Sequence, residues 1–357
     1  MLKGVMEVSK KIAVVGTGAA GTYIGAFLTR EGHDVTLFDM WGEHVEVMRE
    51  SGISVTGCQG PFRVKANAYH LADAMQVNSL FDIIFFAVKS YDTEWTAHFA
   101  KRLLKDDGVL VDNQNCMIDA KIAEIVGYNR TIGCVMSSIT VGLWAPGIVD
   151  RGGKPGYESG HDVFRVGELH GRVTKRVDEI VDLLSIIDGA KSTTNIWGER
   201  WAKLTTNASS NPITAMTGLG SNGAAAIPDA RRLQIEISKE TCQVGLALNF
   251  DITPIKGILA EKWVDADRGD VFEELDEKFL PDNSRGDWKS SMSQDVTKGR
   301  RTEIDFMNGY IADRGKELGI ETPVNAAITS VVSEIDRGIR TPDVSNIQEV
   351  LKRARVN

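Results

Sequence analysis

The stretch KIAVVGTGAAGTYIGAFL, residues 11–28, decides the fold. It opens with an apolar, β-branched run, turns through glycines and continues as a helical pattern. Gly16, Gly18 and Gly21 spell GxGxxG, and the motif carries meaning because a strand pattern precedes it and a helix pattern follows. The first glycine permits the tight turn, the second lets backbone approach a pyrophosphate, and the third lets helix and strand pack closely. Ala19 and Ala20 then open the helix, whose free N–H groups face the phosphate. These five positions are the candidate dinucleotide cradle.

The next apolar run, VTLFD, ends in Asp39, 23 residues after Gly16. That is near the spacing of the acid that binds adenosine ribose hydroxyls. A carboxylate there repels a 2′-phosphate, so NAD is expected ahead of NADP, with NADP still possible. The nearest downstream arginine or lysine, Arg49, lies well into the following helical pattern.

Outward from this unit the first half alternates strands and helices. Residues 11–15, 35–39, 81–88, 108–111 and 131–135 read as strands, and 21–31 as a helix. Such alternation implies an α/β fold with a parallel sheet covered on both faces. Residues 140–168 are rich in glycine and short apolar pieces, and read as antiparallel strands and turns. After about residue 195 long helical patterns take over, at 196–211, 229–248 and 303–318. The expected division is a Rossmann-type dinucleotide-binding domain over 1–195 and an all-helical domain over 196–357.

Composition narrows the function classes. With 42% hydrophobic and 25% charged residues the chain reads as globular. No apolar run approaches the roughly 18 residues of a membrane helix, and residues 1–10 read as a short extension without the features of a secretory signal. A net charge of −8 argues against nucleic acid as partner. The four cysteines form no CxxC pair, so a reduced, cytoplasmic setting fits best. Residues 261–282 hold nine acids and three bases, a net of −6 by subtraction. Phe272, Leu275 and Phe279 fall at helical spacing among them, so the segment reads as the solvated face of a helix, not a metal site.

Candidate catalytic groups lie in the second half. In IWGERWAKLTTNASSN, residues 196–211, Lys203, Asn207 and Asn211 recur every four residues. They form one polar stripe about 80° wide, suited either to a carbonyl ligand or to solvent. Pro212 is expected to bend or end that helix. Further on, Ile304, Met307, Tyr310 and Ile311 make an apolar face with Glu303 at its edge. A carboxylate there needs a partner, for which a lysine is the obvious candidate, or else Thr302 and Asp305 simply cap a helix. Ser291 lies twelve residues before Glu303, and Gly299 suggests a break between two helices. The six histidines, His33, His44, His70, His98, His161 and His170, all fall outside these motifs and read as surface or loop residues.

At these residues the sequence resembles the ketopantoate reductase (2-dehydropantoate 2-reductase) family. The likeness spans nearly the whole chain through the glycine turn, AVKSYDT, DNQNCM, the KxxxNxxxNP helix and SSMxQDxxxGRxTEIDxxNG. It implies a Rossmann domain followed by a helical domain like the C-terminal domain of 6-phosphogluconate dehydrogenase, and reduction of 2-oxo acids with a nicotinamide cofactor. It also implies that Lys203 is the catalytic lysine and Glu303 its acidic partner. Lys89 contacts the cofactor, Asn115 reaches nicotinamide and substrate, and Asn207, Asn211 and Ser291 are substrate ligands. A homodimer is similarly implied.

Three positions depart from the family pattern. Asp39 and Met40 stand where NADP-using members carry arginine, Cys116 replaces the glycine after Asn115, and Trp288 precedes the SSM motif. The expected reaction is hydride transfer between NAD(H) and C2 of a small 2-oxo or 2-hydroxy acid, with Lys203 as general acid or base. No metal is invoked, since the lysine polarises the oxygen. The alternatives are a true 2-dehydropantoate 2-reductase serving coenzyme A synthesis, an opine or 3-hydroxyacid dehydrogenase, and a nucleotide-binding sensor without turnover.

Overall fold

The structure, a computed structural model, describes residues 10–282 and 286–356; the N-terminal extension up to residue 9 lies outside them. The chain divides into two compact units, one of residues 1–114 with 118–196, the other of 115–117 with 197–357.

Among the described residues, twelve strands form and all lie in the first unit. They are β1 (Lys11–Val15), β2 (Asp34–Asp39), β3 (Ile53–Gly57), β4 (Phe62–Val64), β5 (Asn67–His70), β6 (Phe81–Phe86), β7 (Leu104–Asp112), β8 (Thr131–Met136), β9 (Thr140–Ala145), β10 (Ile148–Gly152), β11 (Phe164–Glu168) and β12 (Ala190–Ser192). Eight form one sheet in the order β12-β11-β8-β7-β6-β1-β2-β5. From β5 to β8 every pairing is parallel, with Lys11 opposite Asp34 and Ile12 opposite Ile83. The chain leaves β1 toward β2 on one side and later returns on the other at β6. That reversal is the topological switch point, outside whose carboxyl end α/β folds bind ligands. Burial explains the strand compositions: Ile12, Ala13, Val14 and Val15 are fully covered, as are Ile83 to Phe86.

The segment read as antiparallel strands does form them. β9 and β10 pair antiparallel, and β11 runs antiparallel to β8. The β9–β10 pair also builds a second sheet, β4-β3-β10-β9, which the sequence reading did not foresee. A buried polar cluster joins its strand β10 to the main body. Arg151, 1% exposed, donates through Nη2 to Asp188, 2% exposed, and through Nη1 to Gln59 at 2.9 Å. Asp188 also accepts from the amides of Gly156, Tyr157 and Gly189 at 2.9, 3.0 and 2.7 Å.

The second unit is helical, led by Ile196–Thr217 and Pro228–Ala247. The two helices meet where Gly245 leaves room for the Trp201 indole; a Cβ on that glycine would lie 2.1 Å from Nε1. The indole N–H then donates to the Thr241 carbonyl at 3.0 Å. Among the described residues no helix is long and apolar enough to cross a membrane. In the acidic segment, helices Ala260–Val264 and Val271–Glu277 bury Leu275, and Lys262 pairs with Glu274.

Two expectations are corrected here. Pro212 does not end its helix, which continues five residues further to Thr217. The carbonyl that proline leaves without a donor, that of Ala208, is supplied by the Asn308 side chain at 3.1 Å. The helix expected from residue 303 instead begins at Asn308. Ile304–Phe306 is a separate 3₁₀ turn, and Met307 breaks the path with φ −104° and ψ −91°. The helix break expected near Gly299 is present, with that residue at φ +63° after Ser291–Thr297.

The buried Arg151–Asp188 pair gives a stability prediction. Burial would raise the Asp188 carboxyl, but the Gly156 amide and the Arg151 guanidinium outweigh it and hold the group below its ordinary 3.8. Removing one member of such a pair costs about 3–5 kcal/mol, so Arg151→Ala and Asp188→Asn should each lower the denaturant midpoint markedly. A depressed carboxyl stabilises fully above pH 3.8 and loses that contribution as pH falls through its lower folded value. The gap between wild type and Asp188→Asn should therefore narrow below that pH in acid unfolding curves.

Candidate active site

In the first unit the glycine turn sits at the carboxyl end of β1. Gly16 takes φ +89°, and a Cβ there would lie 2.7 Å from the Val88 amide nitrogen. At Gly21 a Cβ would lie 2.0 Å from the Gly16 carbonyl oxygen, so only glycine lets helix Ala19–Arg30 pack this closely. Gly18 is the opposite case. It is exposed, and a Cβ added there meets nothing within 4 Å. Gly18 caps the helix without a side-chain hydrogen bond, and the first turn carries no acid. Open backbone at an uncapped helix N-terminus is the arrangement that accepts a phosphate, so the turn fits a dinucleotide.

The turn is braced from beneath. Asp39 Oδ2 accepts from the Thr17 amide at 2.6 Å and the Thr17 hydroxyl at 2.9 Å, while Oδ1 accepts from the Trp41 amide at 2.9 Å. The sequence reading gave Asp39 a cofactor role and missed this anchoring one. The Thr22 hydroxyl donates to the Thr17 carbonyl at 2.7 Å and lies 3.2 Å from His44 Nε2. The Gly147 amide donates to His44 Nδ1 at 2.9 Å, so Nδ1 is an acceptor and Nε2 carries the proton toward Thr22. The expectation of a surface or loop histidine is thus wrong for His44, which is fully buried. Its helical spacing gave no hint, because its partners lie 22 and 103 residues away.

Lys89 sits just after β6, half-buried, at the start of the turn Ser90–Asp92. Beyond β7 comes Asn113, which sequence reasoning passed over. It is 7% exposed, and neither its Oδ1 nor its Nδ2 has a hydrogen-bond partner among the described residues. Gln114 beside it is tied down, donating to the Val88 carbonyl at 3.0 Å and the Thr93 hydroxyl at 2.8 Å. Asn115 groups with the second unit.

That second unit also holds Lys203, Asn207, Asn211, Ser291 and Glu303. Lys203 is half-buried, whereas Asn207, Asn211 and Glu303 are 7%, 6% and 5% exposed. The first three follow one stripe of the continuous helix Ile196–Thr217. Two other segments converge on this helix. Ser290 caps helix Ser291–Thr297 by accepting from the Ser293 amide, and its hydroxyl lies 2.7 Å from that of Thr214 and 3.3 Å from the Asn211 carbonyl. Ser291 is therefore held near Asn211 by its neighbour. Asn308, five residues after Glu303, reaches the Ala208 carbonyl. Neither the Asn207 nor the Asn211 side-chain amide hydrogen-bonds another described residue.

Two family models match this chain, ketopantoate reductase PanE/ApbA over residues 12–161 and its C-terminal counterpart over 195–336. The chain belongs to the ketopantoate reductase family. It is accordingly a nicotinamide-dependent oxidoreductase acting on a CH–OH group. Among curated relatives, the 2-dehydropantoate 2-reductase of Pyrococcus horikoshii is 29% identical over 90% of this chain and 96% of its own. That of Archaeoglobus fulgidus is 26% identical over 92% and 99%. A solved structure of D-mandelate dehydrogenase with NADH and anilino(oxo)acetate shares the fold, with TM-score 0.78 at 23% identity over 92% of this chain and 99% of its own. So does a PanE/ApbA family ketopantoate reductase from Ralstonia eutropha, with TM-score 0.74 at 24% identity over 92% and 99%.

The family's glycine turn yields a two-sided prediction. Gly18→Leu should fold with near-normal thermal stability and bind the dinucleotide at least about tenfold more weakly, a change near 1.4 kcal/mol. Gly21→Ala should instead destabilise the first unit by about 1–3 kcal/mol through overpacking. Calorimetry for affinity and thermal unfolding for stability would separate the two.

Proposed function

We propose that this chain transfers a hydride between NAD(H) and C2 of a small 2-oxo or 2-hydroxy acid, with Lys203 as general acid or base. The observation that carries the proposal is the pair Asn207 and Asn211. Both residues are more than nine-tenths buried and share a helix stripe with Lys203, and their side-chain amides make no hydrogen bond to another described residue. Amides that spend no hydrogen bond on the protein are available to a ligand with carboxylate, carbonyl or hydroxyl oxygens.

The residues of the first unit suited to hold the dinucleotide are Gly16, Gly18, Ala19, Ala20 and Gly21 at the pyrophosphate, Asp39 at the adenosine ribose, and Lys89. Asn113 adds an unpaired buried amide to that group. A bound nicotinamide supplies or accepts the hydride. The chain's own residues do the rest. Asn207, Asn211 and Ser291 orient the acid, with Ser291 near its carboxylate, and Asn115 meets substrate and nicotinamide. Lys203 donates a hydrogen bond to the C2 oxygen as charge gathers there, then protonates it. In the oxidative direction the same nitrogen takes the proton. Glu303, buried and making no side-chain cap bond to the 3₁₀ turn that follows it, orients the ammonium.

NAD preference rests on Asp39. Its carboxylate accepts three hydrogen bonds from Thr17 and Trp41, which hold it in place. A fixed negative charge at the end of β2 disfavours a 2′-phosphate, and the following Met40 is half exposed and offers no compensating cation. The reading of a true 2-dehydropantoate 2-reductase is supported by the names of the curated relatives. A homodimer belongs to the proposal as well.

Initial rates with 2-dehydropantoate and a panel of other 2-oxo acids, each with NADH and NADPH, test substrate and cofactor together. The expected result is higher kcat/KM with NADH and a preferred acid other than 2-dehydropantoate. On the preferred pair, Lys203→Ala should lower kcat by about 10²–10⁴ with cofactor affinity unchanged. Normal turnover in that variant would remove Lys203 from the mechanism.

A further inference from the structure

We infer that Asn308 is a positioning residue that holds the ligand-bearing helix in register by replacing the hydrogen bond that Pro212 deletes. The inference rests on the proposed role of Asn207 and Asn211 as substrate ligands.

A proline inside a helix leaves the carbonyl four residues earlier without its donor. For Pro212 that carbonyl belongs to Ala208, which lies between Asn207 and Asn211 on the turn that must present both amides. Asn308 Nδ2 donates to it at 3.1 Å. Both residues are fully buried, so water does not compete. The same nitrogen donates its other hydrogen to Asn325 Oδ1 at 3.0 Å.

The orientation of the Asn308 amide is itself dictated from further inside. Asn325 Nδ2 donates to Glu240 Oε2 at 2.7 Å, which turns Asn325 Oδ1 toward Asn308. Glu240 in turn is fixed at the start of helix Pro323–Asp336, accepting from the Val324 and Asn325 amides, both at 2.9 Å. Three N–H groups point at the two Glu240 oxygens, so this carboxyl accepts here, sets one amide, and that amide sets the next. Were Asn308 flipped, its oxygen would face two other oxygens, those of Ala208 and Asn325. In the orientation observed, Asn308 Oδ1 is buried without a partner. An orphaned buried oxygen is unfavourable, and the chain sustains it while directing both N–H groups to Asn325 and Ala208.

This arrangement predicts a specific rescue. Asn308→Ala leaves the Ala208 carbonyl orphaned and frees the Asn207–Asn211 turn to shift. On the acid the enzyme turns over best, kcat/KM should fall about 10²-fold, as for a reacting group misplaced by about 1 Å, while cofactor affinity holds. Pro212→Ala restores a backbone N–H to that carbonyl. The double variant Asn308→Ala with Pro212→Ala should recover most of the lost kcat/KM. Asn308→Asp, which puts a carboxylate against the two oxygens, should be worse than alanine and should not be rescued by Asn325.

Thermal unfolding of each variant accompanies the kinetics. If Asn308→Ala is too unstable to assay alone, the double variant against Pro212→Ala carries the test. Near-equal kcat/KM in those two supports the inference. A folded Asn308→Ala enzyme with normal kcat/KM overturns it, and so does a double variant that regains stability without activity. Asn211→Ala separates this inference from the reading beneath it. If that variant keeps normal kinetics, the substrate role of the stripe fails. If it is impaired while Pro212→Ala gives no rescue, the role of Asn308 fails.

Discussion

A buried polar group without a protein partner costs about 1–3 kcal/mol, and the Asn113 amide just beyond β7 is such a group. Asn207 and Asn211 in the helical unit and Asn113 in the sheet unit are all more than nine-tenths buried. The backbone of Gly18 is likewise left open at a helix N-terminus. Such groups stay poised only if their surroundings are rigid enough to refuse them internal partners. Much of the local structure does that. Asp39 and Thr22 hold Thr17 directly and His44 holds Thr22, so the turn before the helix is fixed by side chains from outside it. Asn308, Thr214 and Ser290 satisfy the carbonyls of Ala208 and Asn211, so the side chains beside them are not drawn into that task.

The two units use different means to the same end. In the first, backbone does the work: a strand, a turn with φ +89° at Gly16, and a helix whose third glycine touches the turn. In the second, side chains do it through a buried network running from Glu240 through Asn325 and Asn308 to a helix carbonyl. Burial pushes the Glu240 carboxyl up to about 7 against the hydrogen bonds of the Asn325 and Val324 amides that lower it. That opposition shows how heavily this network is desolvated. Water-free surroundings also strengthen hydrogen bonds made to a ligand, which suits a site that must stabilise charge on a substrate oxygen.

How much was legible beforehand follows from the range of the interactions. β1, β2, β6 and β8 were readable because β-branched runs and the glycine motif are local signals. The lysine–asparagine stripe was readable because helical spacing is local as well. The second sheet was not, since β3 pairs with β10 nearly a hundred residues later. Nor was buried His44, whose Nδ1 takes its hydrogen bond from the Gly147 amide 103 residues away. Pro212 is the most instructive case. Its local rule, that proline ends a helix, was overridden by an amide 96 residues further along the chain. The anchoring of Thr17 by Asp39 was invisible for a related reason: the motif spacing announces a ribose-binding acid and is silent about what else that acid holds.

The central claim is that the unpaired amides beside Lys203 exist to bind a 2-oxo acid. Its most direct test is calorimetric binding of oxamate, an unreactive 2-oxo-acid analogue, to the NADH-loaded enzyme, in wild type and in Asn207→Ala and Asn211→Ala. The account predicts that each substitution weakens oxamate binding at least about tenfold, near 1.4 kcal/mol, and leaves NADH affinity unchanged. Equal oxamate affinity in wild type and both variants would contradict it.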